Sequence, residues 1–147
     1  MFQISLADSK DISQLSILFD QYRVFYEQSS DIEKATAFIN ERLENGDSVI
    51  ITANDGDQMA GFTQLYSSFS SVSMKPIWIL NDLFVVKSYR RKNVAKQLME
   101  AAKEHARKTG AIRLSLATHF SNNPAQKLYE AMGYEKDESF YHYNLSI

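Results

Sequence analysis

The sequence contains no cysteine. That excludes disulfides, thiolate zinc sites and a cysteine nucleophile, and it is compatible with a reducing compartment. Proline occurs only as Pro76 and Pro124, neither in a loop long enough to divide domains. No apolar run is long enough to span a membrane, and the opening "MFQISLADSKDISQL" lacks a cationic segment followed by an apolar signal core. Repeats, low-complexity tracts and linkers are missing as well. So is a strong net charge: 16 Lys and Arg against 18 Asp and Glu leave −2. A general nucleic-acid binder is normally basic overall, so any cationic site here must be local. These absences predict a cytoplasmic protein whose 147 residues form one domain, 1–147, around a single core.

Apolar spacing supplies the elements. "FQISLA" alternates as an edge strand does, and Asp8 or Ser9 can cap a helix carrying Ile12, Leu15, Leu18, Phe19, Tyr22, Phe25 and Tyr26. A second helix fits 31–44 and ends at Gly46. "SVIITA", the turn "NDGD" and "QMAGFTQLY" make a hairpin, followed by a serine-rich surface loop. "PIWILNDLFVV" returns as a strand containing the polar pair Asn81-Asp82, and a helix of 94–108 leads to a strand at 112–117. Asn123 can cap a short helix that starts at Pro124 and stops at Gly133; the tail "FYHYNLSI" alternates like a last strand. This order is mixed α/β (α+β), and the crossover from 77–86 through a helix to 112–117 is long enough to join parallel strands.

Positive charge is concentrated in one place. Lys87, Arg90, Arg91, Lys92 and Lys96 fall within ten residues that contain no acid. The crossover puts them in a strand-to-helix turn, where the first helical amides lack intrahelical partners and attract anions, phosphates above all. A solvated cationic turn that binds nothing is the plainer alternative. Neither a Walker sequence nor a dinucleotide fingerprint is present.

Two blocks decide between these readings. "LFVVKSYRRKNVAKQLMEAA" resembles the acetyl-CoA signature of the GNAT (GCN5-related) N-acetyltransferases, Arg/Gln-x-x-Gly-x-Gly/Ala, with Arg90, Asn93 and Ala95 at its fixed positions. "NNPAQKLYEAMGY" resembles the family's second block, with Asn122, Ala125, Leu128, Tyr129, Gly133 and Tyr134 in place. The resemblance covers residues 48–136. It implies a GNAT fold: a central, mostly antiparallel, roughly six- to seven-stranded sheet with one parallel βαβ crossover, flanked by four helices. Asn93 departs from the pattern, standing where the family prefers glycine. Asparagine tolerates left-handed backbone better than other side chains, so the turn is expected to survive.

The resemblance further implies acetyl-CoA as co-substrate. Arg90, Arg91, Lys92, Asn93, Val94, Ala95 and Lys96 would hold its pyrophosphate, the backbone of Leu83, Phe84 and Val85 would pair with the pantetheine arm, and Asn122 and Ala125 would meet the same arm. Tyr129 matches the family's usual general acid; its phenol, near ~10 in pKa, suits a departing thiolate. A core tyrosine is the alternative reading. "ILNDLFV" is similar to the diamine N-acetyltransferase branch, where a glutamate precedes the aspartate, so Asn81 takes the place of the usual base. Asn81 can order a relaying water, and Asp82 can be a base or a structural acid paired with an Arg or the helix start. For the acceptor, Tyr22, Tyr26, Glu27 and Asp31 suit a cationic amine, or are simply core and surface of an amphipathic helix. No spacing suggests a metal site.

The expected activity is therefore N-acetylation, by direct transfer, of a small primary amine or an exposed amino group. A non-catalytic acyl-CoA-binding regulatory domain is the alternative that Asn81 and Asn93 keep open. Nucleic acid and membrane are not expected partners. The family and the alternating tail imply a homodimer.

Overall fold

The computed structural model describes residues 1–147. Strand β1 (Gln3–Leu6) is followed by helices α1 (Ile12–Phe25) and α2 (Ile32–Asn45), strands β2 (Val49–Asp55), β3 (Gln58–Ser70) and β4 (Lys75–Val85), helix α3 (Val94–Lys108), strand β5 (Leu114–Ser115) and helix α4 (Asn123–Ala131). These group into two units, Met1–Leu116 and Ala117–Ile147.

Helix boundaries have local causes. Asp8 and Asp11 form a reciprocal capping box around a 3-10 turn, Ser9–Asp11, which delays α1 to Ile12. Asp31 caps α2 by accepting from the Lys34 amide at 3.1 Å, and left-handed Gly46, at φ 60°, ends it. Asn122, rather than the expected Asn123, caps α4 by accepting from the Ala125 amide at 3.4 Å, with Pro124 in the first turn.

In the first unit, one five-stranded sheet runs in chain order β1 to β5. β1 through β4 pair antiparallel; β4 and β5, joined through α3, pair parallel. The crossover and mixed α/β class are those expected, with fewer strands. The stretch 112–117 keeps only Leu114–Ser115 as strand, although Ile112 and Arg113 still bond to β4 through the Pro76 carbonyl and the Trp78 amide. The serine-rich stretch, expected as loop, instead continues β3 to Ser70, paired with Lys75. Ladder pairing overrides weak strand propensity there.

The second unit carries α4 and a tail without a strand. Phe140, Tyr141, Tyr143, Leu145 and Ile147 in that tail are exposed. Alternation makes a strand only where a neighbour accepts its ladder bonds, so the expected last strand does not form in this chain alone.

Each sheet face has its own core. Leu15, Leu18 and Phe19 of α1 and Ala35 and Ile39 of α2 bury against Ile50, Met59, Phe62 and Phe84. Fully burying a side chain such as Phe62 stabilises by about 2–3 kcal/mol. On the opposite face, α3 buries Val94, Leu98, Met99, Ala102 and Ala106. Gly61 of β3 lets α3 and β4 approach. A Cβ there would lie 2.7 Å from the Phe84 carbonyl oxygen and 3.3 Å from Leu98 Cδ1. Gly61→Ala is therefore expected to cost about 1–3 kcal/mol in chemical denaturation, and an unchanged midpoint would contradict this packing.

Candidate active site

The basic turn is built by the backbone. The Val86 amide closes the β3–β4 ladder on the Ala60 carbonyl at 2.8 Å, and a 3-10 turn, Lys87–Tyr89, follows. Arg91 and Asn93 are both left-handed, each at φ 63°. Asn93 thus adopts the glycine-like backbone expected of it, and its side chain makes no capping bond. The first intrahelical bond of α3 runs from the Gln97 amide to the Asn93 carbonyl at 3.1 Å. The amides of 94–96 precede that bond and form the electropositive end of the helix. Interspersed left-handed residues are of the kind that gathers main-chain N–H groups into an anion-binding concavity. Arg91, Lys92, Asn93 and Lys96 are exposed around them. Arg90 turns back instead: its Nε donates to the Val85 carbonyl at 3.0 Å, and its guanidinium lies 5.7 Å from the Phe84 ring and 5.8 Å from the Phe25 ring. Tyr89 pins the turn to β2 by donating its hydroxyl to Asp55 Oδ2 at 3.0 Å.

The end of β4 supplies a polar edge. Phe62 pairs with Phe84, in phase with the Val86–Ala60 bond, so the main chain of Phe84 faces β3. Leu83 and Val85 direct theirs the opposite way. β5 pairs with β4 only at Trp78 and Ile79, leaving Leu83 and Val85 beyond its reach. Of the three residues expected to offer backbone, Phe84 is thus turned away, and the Val85 carbonyl is already taken by Arg90.

Asn81 and Asp82 sit at a β-bulge. Gln64 pairs with Asp82 and Leu65 with Leu80, so Asn81 is the extra residue. Simple strand alternation, which would send the two side chains to opposite faces, does not hold there. Asn81 Nδ2 donates to Asp82 Oδ1 at 3.0 Å. Asp82 is 3% exposed and also accepts from Gln64 Nε2 on its Oδ2. Gln64, fully buried, accepts in turn from Ser48 Oγ at 2.8 Å. The Tyr22 hydroxyl donates to the Asn81 carbonyl at 3.3 Å. Asp82 pairs with neither an Arg nor a helix start. Burial pushes its carboxyl above the ordinary range, against the pull of hydrogen bonds from Gln64, Tyr22 and Asn81. Burial, and then the nearby Asp82 carboxylate, push the Tyr22 phenol well above its usual value and that of Tyr66 up to about 12.

The acceptor candidates separate. Tyr22 packs edge-on against Tyr26 at 5.0 Å and against Phe62 and Phe84. Tyr26 is half exposed, and Glu27 is exposed in the left-handed turn that ends α1. Asp31 spends its carboxylate on capping α2, while its amide donates to Asp20 Oδ1 at 2.7 Å. Asp20 also accepts from Ser30 Oγ at 2.6 Å, and these two bonds hold its carboxyl below the usual range. Sequence reasoning missed Asp20 as the anchor of this loop. The available signal was an acid adjoining the apolar stripe of α1.

In the second unit, Asn122 caps α4 and Ala125 donates the capping bond. Tyr129 is half-buried on α4, its ring 6.1 Å from that of Tyr134, and its carbonyl accepts from the Tyr134 amide. His119 is an exposed loop residue whose Nδ1 lies 2.6 Å from Ser121 Oγ.

A family model described as the acetyltransferase (GNAT) family matches residues 14–134, a span that includes the basic turn and α4. The uncharacterized N-acetyltransferase YhfO of Bacillus subtilis (strain 168) is 49% identical over 144 residues, 98% of this chain and 97% of the relative. The D-amino-acid N-acetyltransferase HPA3 of Saccharomyces cerevisiae is 25% identical over 145 residues, 96% of this chain and 89% of the relative. A crystal structure of a probable acetyltransferase superposes with a TM-score of 0.94 at 41% identity, covering 99% of this chain and 97% of that one.

The raised carboxyl of Asp82 has a consequence for stability. A folded-state pKa above the unfolded value favours the folded chain while the group is protonated. That advantage fades as pH rises from the ordinary Asp value, 3.8, through the folded value. Asp82→Asn removes this dependence. Its melting temperature relative to the parent should rise as pH increases from the ordinary Asp value through neutrality. A constant difference across that range would contradict the burial argument.

Proposed function

Because the chain belongs to the acetyltransferase (GNAT) family, we propose that this acyltransferase moves an acetyl group from acetyl-CoA directly to a primary amine of a small molecule or an exposed amino group. The observation that carries this reading is the turn before α3, with its left-handed Arg91 and Asn93 and uncapped helix start. The residues fit the co-substrate. A diphosphate needs converging N–H donors and cations, which 91–96 offer, and an amide-bearing arm needs a strand edge, which Leu83 and Val85 offer. Asn122 and Ala125 are assigned to that arm by the second block.

Acetyl-CoA supplies an activated acetyl thioester. The Val85 amide is the donor assigned to the carbonyl oxygen as charge develops there. Asp82, directly or through a water held by Asn81, takes the proton of the acceptor ammonium, so that a neutral amine attacks. As the carbon–nitrogen bond forms and the carbon–sulfur bond breaks, the Tyr129 hydroxyl gives its proton to the thiolate and recovers one from solvent. Tyr22, Tyr26 and Glu27 are assigned to the acceptor. The name of the yeast relative puts D-amino acids among the amines to try.

Calorimetric titration with acetyl-CoA, with free-thiol release over a panel of small amines, D-amino acids and peptides, tests the reading. Saturable binding and turnover on at least one amine are expected, and Tyr129→Phe should lower kcat by roughly 10²-fold or more with little change in acetyl-CoA affinity. Binding without turnover would leave a coenzyme-binding domain, and no binding would end the proposal.

We also propose a homodimer, supported by the row of exposed apolar side chains from Phe140 to Ile147. Light scattering should give twice the chain mass for the full chain and the monomer mass once 140–147 are deleted. A monomeric full chain would refute it.

A further inference from the structure

We propose that Gln64, anchored by Ser48, is a positioning residue that holds Asp82 in its proton-accepting form and leaves Oδ1 as the oxygen that receives the proton. This rests on the assignment of Asp82 as base. Gln64 is wholly buried on β3, opposite Asp82 in the ladder. Its two amide ends have different partners: Nε2 meets Asp82 Oδ2, and Oε1 accepts from Ser48 Oγ at 2.8 Å.

A glutamine amide keeps its shape when turned over, so only hydrogen bonding decides its orientation. Turned over, Gln64 would set its carbonyl oxygen against Asp82 Oδ2, which a carboxylate tolerates only when it carries a proton. Ionised Asp82 therefore selects the orientation with Nε2 toward Oδ2, and the Ser48 hydroxyl, able to donate or accept, fixes the far end of the amide by donating to Oε1. Oδ2 is thereby committed to the interior. Oδ1 lies on the side of Asn81, which is exposed.

The chemistry accounts for an amide rather than a cation. A buried base needs enough support to ionise and enough proton affinity to take a proton from an ammonium. An Arg at position 64 would depress the carboxyl below that range, and an apolar residue would remove a hydrogen bond that favours the ionised form. The groups facing Asp82 are Gln64 from β3, Tyr22 from α1 and Asn81 on β4, with Tyr66 of β3 coupled to it through charge. Arg42 and Asp47 act on Tyr66 rather than on Asp82.

The test is the pH profile of kcat/KM for an acetylated amine, with a ¹³C-carboxyl NMR titration of Asp82 in the full chain. Gln64→Met, similar in volume and without a donor, should move both the acid limb and the NMR midpoint upward by roughly one pH unit, with acetyl-CoA affinity unchanged. Ser48→Ala should move them the same way by less, and Ser48→Thr, which retains the hydroxyl, should restore the parent profile. If Gln64→Met fails to fold, Ser48→Ala carries the test alone. An unmoved NMR midpoint in a folded variant overturns the proposal. A midpoint that moves, beside a rate profile that neither Gln64→Met nor Asp82→Asn alters, overturns the base assignment and with it the catalytic part of the inference.

Discussion

Strand β4 is held by neighbours of unequal reach, and the candidate site follows from that inequality. β3 pairs with β4 along its whole run, whereas β5 pairs only at Trp78 and Ile79. Main-chain donors and acceptors lie on both sides of a strand, so one paired on a single side must offer the rest to something else. Leu83 and Val85 make that offer immediately before the chain enters the basic turn. The bulge at Asn81 lies in the same short stretch and turns Asp82 toward Gln64. One strand thus carries an open main-chain edge, a buried acid and the lead into the cationic turn, with no long loop between them.

Charge is segregated along this path. The cations of the turn are exposed, where each alone contributes little, and their value lies in surrounding fixed amides. The acid is treated in the opposite way. Asp82 is buried among neutral partners, an arrangement that costs stability when it ionises and that a structural role does not require. An ion pair would have been the stabilising choice, and it would have lowered the proton affinity of the acid. A site that breaks the rule for buried charge while satisfying every hydrogen bond around it is the pattern expected where chemistry sets the requirement.

Legibility in the sequence tracked how local each cause was. α3 over Val94–Lys108 and the stop of α2 at Gly46 depend on residues a turn or two away, and both were readable. The cationic turn was readable for the same reason. The bulge at Asn81 depends on register with β3, which no residue of "ILNDLFV" reveals. The anchoring of Gln64 depends on Ser48, in another part of the chain, and "QMAGFTQLY" gives no sign of it. The Asn122 cap lay one residue from the reading because either asparagine of "NNP" can cap, and Pro124 occupies the second helical position rather than the first. The tail failed for the opposite reason: its alternation was plain, but a strand needs a partner that a single chain need not supply.

Asn93 brings the local and non-local causes together. A left-handed side-chain-bearing residue costs roughly 1 kcal/mol, and Arg91 adds a second such cost within three positions. Asparagine lowers the first cost but does not repay it by capping, since its side chain makes no bond to the helix start. Strain of this sort persists only where the surroundings over-determine the backbone. Here they do. Tyr89 is tied to Asp55, Arg90 to Val85, and Val94 is buried beneath the first turn of α3. The turn is therefore fixed before any ligand arrives, and helix-end amides left without a side-chain cap are donors that a bound anion need not displace anything to reach.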